Sequence, residues 1–581
     1  MRSNYDKNPR IEVKGFAGES FSGTEAVAAF LASSVRGPVT VAVEFYQGVY
    51  DQEITDLIRK AWPDAAFFNS AKAMKSAEEI DAVLGPDITD DEIFGFMTRQ
   101  EIDCYFDGGK VLQMRKRLNE TRGMRVIYGV GATYICRDAD ILVYADMARW
   151  EIQQRFRRGE VSNVGVDNRG ERPSLQYKRA MFTDWKILDR HKRTLMGSWD
   201  FVLDTNIGGM PKIASGQAVR AGLEIAASRP FRLVPYFDAG PWGGQWMKEV
   251  CDLDKTAPNY AWCFDCVPEE NSLKLQFGDI LFEIPAIDLV FFQPEKLLGV
   301  PVYGRFGDEF PIRFDFLDTM KGGNLSLQVH PLTQYIQKTF GLNYTQDESY
   351  YILDSTPASC VYLGLKEDTD PQEMVSALRY SQQSGEPFEA ERFVGKYPVR
   401  KHDHLLIPAG TIHCSGADTM VLEISATPYI YTFKLYDWGR LGLDGRPRPI
   451  NIGHGEKVIQ WNRREQWVRC HLLNDRQIVA EGEGWKEEHT GLHEAEFIET
   501  RRHWFSVPVH HKTDGSVNVL NLVEGREAVV ESPSGQFEPF VVHYAETFIV
   551  PASVGEYTIR PFGESEGKTI ATIKAYIRHN S

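Results

Sequence analysis

A glutamine and a histidine two positions apart, Gln328 and His330 in the stretch LQVHP, are residue types that bind metal ions. Residues i and i+2 of a β-strand share one face, so both side chains would reach the same place. A lone histidine in a strand is more often an ordinary structural residue. The spacing therefore raises the question of a metal site without answering it.

Two further stretches carry candidate ligands. Glu348 leads the strand-like run in DESYYILD, and His413 follows a Pro-Ala-Gly turn in IPAGTIHCSG. With Gln328 and His330 they offer one amide oxygen, two imidazoles and one carboxylate, a set that suits Zn²⁺ or another borderline divalent ion. Taken singly, the glutamate could be a solvated strand end and the PAGTIH segment only a tight turn. Their joint occurrence in one β-rich section favours a metal site with room for water or substrate.

The elements that must position these residues divide the chain into three predicted domains, as its 581 residues suggest. Residues 1–225 alternate strand-like and helix-like runs, which predicts a doubly wound α/β domain. Residues 226–450 consist of short β runs separated by Gly, Pro and Asp, typical of an antiparallel jelly-roll barrel, with a helical insert at 370–385. Residues 451–581 repeat this pattern and predict a second, smaller barrel. Its PASVGEY turn (551–557) lacks a histidine, so we expect that barrel to be metal-free and structural.

The charge balance narrows the classes of partner. With 65 basic and 81 acidic residues, the formal net charge is −16, which disfavours nucleic acid and anionic membranes as partners. The start of the chain shows no apolar signal-peptide core, and no apolar run is long enough to span a bilayer. Eight cysteines with a single CxxC indicate free thiols in a reducing compartment. We therefore expect a cytoplasmic protein with a small-molecule substrate; the sequence leaves the oligomeric state open.

The candidate ligands occur in a recognisable order. The Pro-x-Gly-x-x-His turn resembles the second cupin motif, and QVHP, a Glu before YYIL, and PAGTIH together resemble the zinc site of class I mannose-6-phosphate isomerases. PWGGQWM (241–247) and LEISATPYIYTFKLYDWGR (422–440) are similar to further segments of that family. The resemblance runs from about residue 230 to residue 581, across both predicted barrels.

This resemblance implies a fold, an activity and a set of site residues. It implies two cupin barrels and one zinc ion held by Gln328, His330, Glu348 and His413. The implied reaction interconverts mannose 6-phosphate and fructose 6-phosphate through an enediol, with a sugar phosphate as the small-molecule partner. Trp242, in PWGGQWM, is expected to line the sugar site.

Several positions depart from the family pattern. Lys434 stands where the family has an arginine; it keeps the charge that would stabilise an enediolate but loses the planar fork. Gln346 and Asp315 replace lysines, and Leu332 and Thr333 replace aspartates. Two alternatives therefore stay open: a non-catalytic metal-bound sensor of a sugar or sugar phosphate, and an isomerase of a different sugar.

The segment RVIYGVGATYICRDADILVYADMARWEIQQRFRRG resembles the late part of a nucleoside-kinase-like P-loop fold. No GxxxxGK[ST] motif occurs in the chain, and short Gly pairs such as GVGA (129–132) are common in turns. We interpret residues 1–225 as a degenerate kinase-like domain or as an α/β domain used for assembly. The arginines of the predicted helix either bind an anionic metabolite or form a solvated basic face: Arg149, Arg155, Arg157 and Arg158.

Overall fold

The computed structural model describes residues 3–426, 431–491, 493 and 496–578. The chain forms two compact units that are not consecutive blocks of sequence. The α/β unit comprises residues 10–226 and 268–293, and the β-rich unit comprises residues 1–9, 227–267 and 294–581. The later hairpin belongs to the α/β unit because Ile11 and Leu275 pair in parallel.

The α/β unit is built on a seven-stranded sheet in the order β2-β8-β7-β6-β3-β5-β4, numbered along the chain. Strands β7, β6, β3, β5 and β4 are parallel, and β8 and β2 extend one edge in antiparallel orientation. All six residues of β3 are buried, as expected for a parallel strand covered on both faces. The strands of the unit are β1 Ile11–Glu12, β2 Ser20–Ser22, β3 Thr40–Phe45, β4 Ala66–Asn69, β5 Arg125–Gly129, β6 Ile141–Asp146, β7 Phe201–Asp204, β8 Lys212–Ser215, β11 Ser272–Phe277 and β12 Ile280–Pro285.

Helices alternate with these strands, in agreement with the predicted α/β class. They are α1 Thr24–Ser34, α2 Asp51–Ala61, α3 Ala77–Ile88, α4 Gly108–Glu120, α5 Ala132–Ile135, α6 Arg149–Arg157, α7 Pro173–Arg179, α8 Trp185–Leu195, α9 Gly216–Ala226 and α11 Ile287–Phe292. Throughout the part of the chain that the structure describes, no helix is long and apolar enough to cross a bilayer.

The β-rich unit contains two pairs of antiparallel sheets, each pair consistent with a cupin-like sandwich. The first sandwich has sheets β18-β15-β20-β13-β10-β9 and β17-β16-β19-β14-β21, and the C-terminal sandwich has sheets β22-β23-β24-β31-β26-β29 and β25-β30-β27-β28. The strands are β9 Tyr236–Asp238, β10 Trp262–Cys266, β13 Ile312–Asp318, β14 Leu327–Val329, β15 Glu348–Ser355, β16 Cys360–Leu365, β17 Val394–Pro398, β18 His404–Ile407, β19 His413–Ser415, β20 Thr419–Ala426, β21 Phe433–Tyr436, β22 Gln477–Gly482, β23 Trp485–His489, β24 Ile498–Phe505, β25 Val509–Lys512, β26 Asn518–Glu524, β27 Glu527–Glu531, β28 Phe540–His543, β29 Thr547–Val550, β30 Glu556–Pro561 and β31 Ile570–Ile577.

The predicted helical insert is confirmed as the longest helix of the β-rich unit among the described residues, Pro371–Ser384. Local sequence sets both of its ends. The Asp370 side chain accepts a hydrogen bond from the Glu373 N–H and caps the first turn. Gly385 ends the helix at a φ of 80°, which favours glycine. The helices of this unit are α10 Trp246–Val250, α12 Pro294–Leu298, α13 Val300–Phe306, α14 Thr333–Phe340, α15 Pro371–Ser384, α16 Ala390–Phe393, α17 Ile452–Gly455 and α18 Glu465–His471.

A buried arginine ties the chain start to the β-rich unit. Arg232 lies 2.8 Å from Glu546 and 3.6 Å from Asp265, and it donates to the Asp6 carbonyl at 2.8 Å. Its guanidinium stacks 4.8 Å from the centre of the Tyr5 ring, whose hydroxyl donates to Asp265 at 2.7 Å. Because both carboxylates are almost fully buried, they depend on this one cation for compensation.

Replacing Arg232 by methionine should therefore lower the free energy of unfolding of the β-rich unit by about 3–5 kcal/mol, since it leaves two buried carboxylates unpaired. Urea denaturation followed by tryptophan fluorescence measures this loss. Arg392→Met is the matched control, because the Arg392–Glu373 pair is exposed and such pairs contribute about 0–1 kcal/mol. Equal losses in the two variants would contradict the structural role given to Arg232.

Candidate metal centre

The five-stranded sheet of the first sandwich places three polar residues side by side. Gln328 on β14 is paired with His413 on β19 and with Lys434 on β21. Directly opposed residues of antiparallel strands have neighbouring side chains on one face. The register thus puts a candidate ligand on one side of Gln328 and a cation on the other.

The six-stranded sheet brings Glu348, the first residue of β15, to the same place. Ligand atoms of His330, Glu348 and His413 all lie within 4.8 Å of one another, and all three side chains are buried. The Glu348 carboxylate is 3.1 Å from His330 Nε2 and 2.7 Å from His413 Nε2. No other group of three His, Cys, Asp or Glu residues in the described chain offers ligand atoms this close together.

Gln328 completes the set that the sequence predicts. Its amide group contacts His413 Nε2 at 3.2 Å, and its side chain is buried. The structure therefore brings together all four residues proposed as ligands, although they come from four separate places in the chain. A turn that follows β18 positions His413: Gly410, at a φ of 86°, donates its N–H to the His330 carbonyl at 2.9 Å.

Backbone carbonyls fix the orientation of both imidazoles. His330 Nδ1 lies 3.2 Å from the Tyr431 carbonyl, and His413 Nδ1 lies 2.9 Å from the Thr411 carbonyl. A carbonyl oxygen only accepts, so each ring must carry its proton on Nδ1 to make these bonds. Each Nε2 then has a free lone pair directed to the Glu348 carboxylate, which is how metal-binding histidines are held by their outer partners.

The electrostatics of this cluster require a compensating positive charge. Burial raises the pKa of Glu348, but His330 and His413 outweigh burial and hold that pKa well below its usual range. His330 Nε2 and Glu348 Oε1 are buried and have no hydrogen bond of good geometry. Two imidazole lone pairs around a carboxylate repel one another unless protons or a cation lie between them. The residues present therefore fit a divalent metal ion such as zinc.

A second layer of polar residues surrounds the carboxylate. The Gln346 amide donates to Glu348 at 3.0 Å and lies 3.4 Å from Glu423. Arg313 lies 3.1 Å from Asp315 and pairs closely with Glu423. Burial raises the pKa of Asp315 to about 6, although the adjacent Arg313 lowers it.

Sequence reasoning noted Asp315 and Gln346 as departures but missed Arg313 and Glu423. The alternation in FPIRFDFLD contained the signal for Arg313, because residues 313 and 315 share one strand face. The register of Asp315 opposite Glu423 depends on the pairing of β13 with β20 and could not be deduced from local pattern.

Lys434 is half-buried beside the ligand set. Burial lowers the pKa of its ammonium to about 8; repulsion from Arg448 adds to this effect, and Asp437 partly opposes it. The catalytic role expected for Lys434 stays a prediction, and its position across from Gln328 is compatible with it.

Trp242 is placed differently from the four ligand candidates. Its side chain is 1% exposed and packs edge-on against Trp262, with ring centres 4.8 Å apart. The backbone around it contacts Gly323, which donates its N–H to the Trp242 carbonyl at 3.0 Å. This is the environment of a core residue, and its role in sugar binding stays a prediction.

In the α/β unit, the GVGA turn is occupied by the protein's own carboxylate. The N–H groups of Gly131 and Thr133 donate to Glu44 at 2.5 and 2.8 Å, and the Thr133 hydroxyl donates to it at 2.7 Å. Glu44 is almost fully buried. These backbone donors are the ones a phosphate loop would offer to a phosphate, so the turn has no such donors to spare.

The arginines of α6 do not form a uniformly solvated basic face. Arg155 is fully buried and donates to the Gly48 and Thr205 carbonyls at 2.7 Å each. Arg149 is also buried and pairs with Asp189. Arg158 is half-exposed and pairs with Glu151 and Glu160; Arg157 lies over the Trp150 ring. Two of the four arginines thus hold the fold together.

Comparisons with known proteins match the two parts of the chain separately. Residues 23–228 match a family described only as a domain of unknown function, DUF8485. The chain is 21% identical over 273 residues to mannose-6-phosphate isomerase ManA of Bacillus subtilis (strain 168), which covers 47% of this chain and 76% of that protein. It is 24% identical over 223 residues to mannose-6-phosphate isomerase of Streptococcus mutans, which covers 38% of this chain and 64% of that protein.

Solved structures of similar proteins have the same description. The crystal structure of mannose 6-phosphate isomerase from Bacillus subtilis has a TM-score of 0.48 and 19% identity, and covers 60% of this chain and 99% of that chain. A zinc-bound mannose 6-phosphate isomerase has a TM-score of 0.46 and 13% identity, and covers 61% of this chain and 100% of that chain. From the sequence matches, part of this chain is homologous at low identity to mannose-6-phosphate isomerases.

Proposed function

We propose that the first sandwich is a zinc-dependent aldose–ketose isomerase site that interconverts mannose 6-phosphate and fructose 6-phosphate. The observation that carries the proposal is the meeting of His330, Glu348 and His413 in the dry interior of the sandwich, with buried ligand atoms left without partners. Gln328 beside His413 supplies a fourth oxygen-bearing side chain. The distant homology to mannose-6-phosphate isomerases supports the choice of reaction.

A bound zinc ion supplies a Lewis acid that polarises a sugar carbonyl and stabilises negative charge on oxygen. The protein's own residues orient and balance this site. Gln346 holds the Glu348 carboxylate, and the Tyr431 and Thr411 carbonyls hold the two imidazoles. Lys434 places a positive charge next to Gln328, where it would stabilise the enediolate.

We also propose that residues 226–450 act as the metal-binding domain, residues 451–581 as a domain that binds no metal, and residues 1–225 as a kinase-like domain that transfers no phosphoryl group. Two features support the last point: the chain has no GxxxxGK[ST] motif, and Glu44 occupies the donors of the GVGA turn. Both lysine-based charge compensation and free backbone donors are needed to bind nucleotide phosphates.

His330→Ala should abolish metal binding. The purified wild-type chain is expected to hold about one zinc ion, as sites of this ligand type do, and the variant well under half of that. Elemental analysis by mass spectrometry after gel filtration measures the content. His471→Ala is the control, because His471 is an exposed residue of α18. Unchanged zinc content in His330→Ala would show that the ligand assignment is wrong.

Gln346→Leu should weaken zinc binding by about 10–100-fold, because it removes the hydrogen bond that orients Glu348. Competition with a fluorescent chelator measures the affinity. Gln337→Leu serves as control, since this exposed glutamine of α14 donates only to the nearby Asn343 carbonyl. Equal zinc affinities in wild type and Gln346→Leu would contradict the positioning role.

Lys434→Met should lower kcat/KM for mannose 6-phosphate by about 10²–10³-fold, the usual effect of removing one group that stabilises an oxyanion. Lys434→Arg keeps the charge and should retain more activity, and Lys457→Met is an exposed control. A coupled assay that detects fructose 6-phosphate measures the rates. A zinc-loaded wild-type chain that binds mannose 6-phosphate without turning it over would instead identify a sugar-phosphate sensor. Turnover of another aldose alone would identify an isomerase of a different sugar.

A further inference from the structure

The interior of the C-terminal sandwich has two ends of different chemistry. At one end, Phe505 of β24 and Ile570 of β31 belong to an apolar core. Further along the same strands, on the same faces, the residues become His503 and Lys574. A β-sandwich interior normally stays apolar along its length, so the polar end needs an explanation.

The polar end encloses a cavity of about 330 Å³. This is near the lower limit of small-molecule sites, which span roughly 300–1,000 Å³. The charged and hydrogen-bonding side chains that line it come from both sheets: Glu487, Arg501, His503, His511, Asn518 and Lys574.

Lys574 is a nearly buried cation without a partner. Its side chain is 8% exposed, and no ion pair or hydrogen bond joins its ammonium to any residue in the described part of the chain. Arg501 stands directly opposite it in the register of β24 and β31. Arg501 already pairs with Glu499 at 2.8 Å, and Glu487 lies 3.3 Å from His503. An unpaired buried ammonium next to a second cation is costly unless an anion compensates it.

His511 faces the same cavity with both ring nitrogens unsatisfied. The side chain is almost fully buried, and neither Nδ1 nor Nε2 has a hydrogen-bond partner. Its ring is stacked on Tyr557, with ring centres 5.1 Å apart, and lies 4.5 Å from the ring of His503. Burial lowers the pKa of His511 well below its usual range. A neutral imidazole then has one N–H to donate and one lone pair to accept.

A metal ion does not account for this arrangement. The residues lining the cavity do not include three ligand atoms within mutual coordinating distance. Two cations and a neutral imidazole instead match a tetrahedral oxyanion. At neutral pH a phosphate monoester has bare oxygens for the ammonium and the N–H, and for part of the population a protonated oxygen for the imidazole lone pair.

We propose that this cavity is a second ligand site, which binds the phosphoryl group of a small phosphorylated metabolite through Lys574 and His511. The site is separate from the metal centre of the first sandwich and does not depend on the reaction proposed there. It assigns a binding role to a domain that the sequence indicated as structural only.

Calorimetric titration of the full-length chain with inorganic phosphate tests the proposal directly. We expect saturable binding by the wild type, at least about tenfold weaker binding by Lys574→Met, and unchanged binding by Lys568→Met, an exposed lysine of the same sandwich. Acetate should bind much more weakly than phosphate, because a carboxylate has only two oxygens. Equal phosphate affinity in Lys574→Met, or no binding by the wild type, would overturn the proposal.

Two further measurements guard against trivial results. The titrations are repeated in His330→Ala, so that phosphate held at the metal centre is not counted; the Lys574 dependence should persist there even if the isomerase proposal fails. Reductive methylation of the wild type, mapped by peptide mass spectrometry, needs no substituted lysine. Phosphate should slow modification of Lys574 and leave Lys568 unaffected, and an unchanged rate at Lys574 would rule the site out.

Discussion

Electron-pair donors concentrated in a dry interior are the constraint that shapes the first sandwich. His330 and His413 direct their Nε2 lone pairs to the Glu348 carboxylate, and backbone carbonyls hold both rings in that tautomer. Such a cluster is unstable without positive charge in its centre. The surrounding residues leave that centre available for a cation, because Arg313 is committed to Asp315 and Glu423, and Gln346 supports the carboxylate from outside.

The two sandwiches use the same architecture for different electrostatics. In the first, the polar interior has an excess of lone pairs and fits a cation. In the C-terminal sandwich, Lys574 and Arg501 are opposed across neighbouring strands and the polar interior fits an anion. In both, strand alternation brings side chains from two facing sheets to one place. The difference depends on a few inward positions, and a shared fold therefore implies no shared ligand.

Local pattern was sufficient for some features of the fold and the site. The i, i+2 spacing of Gln328 and His330 and the PAGTIH turn predicted ligands that the structure brings together. The capping residues Asp370 and Gly385 predicted the helical insert. Long-range pairing set what local pattern could not reach. Examples are the parallel contact of Ile11 with Leu275, which adds residues 268–293 to the α/β unit, and the insertion of Glu44 into the GVGA turn.

The central claim is that His330, Glu348 and His413 surround one zinc ion. Anomalous X-ray diffraction from crystals of the zinc-loaded protein, collected on both sides of the zinc absorption edge, tests it most directly. The account predicts a single strong anomalous peak between His330 Nε2, His413 Nε2 and the Glu348 carboxylate, with the Gln328 amide oxygen facing it. The absence of a peak there, or a peak only at another position in the chain, would contradict it.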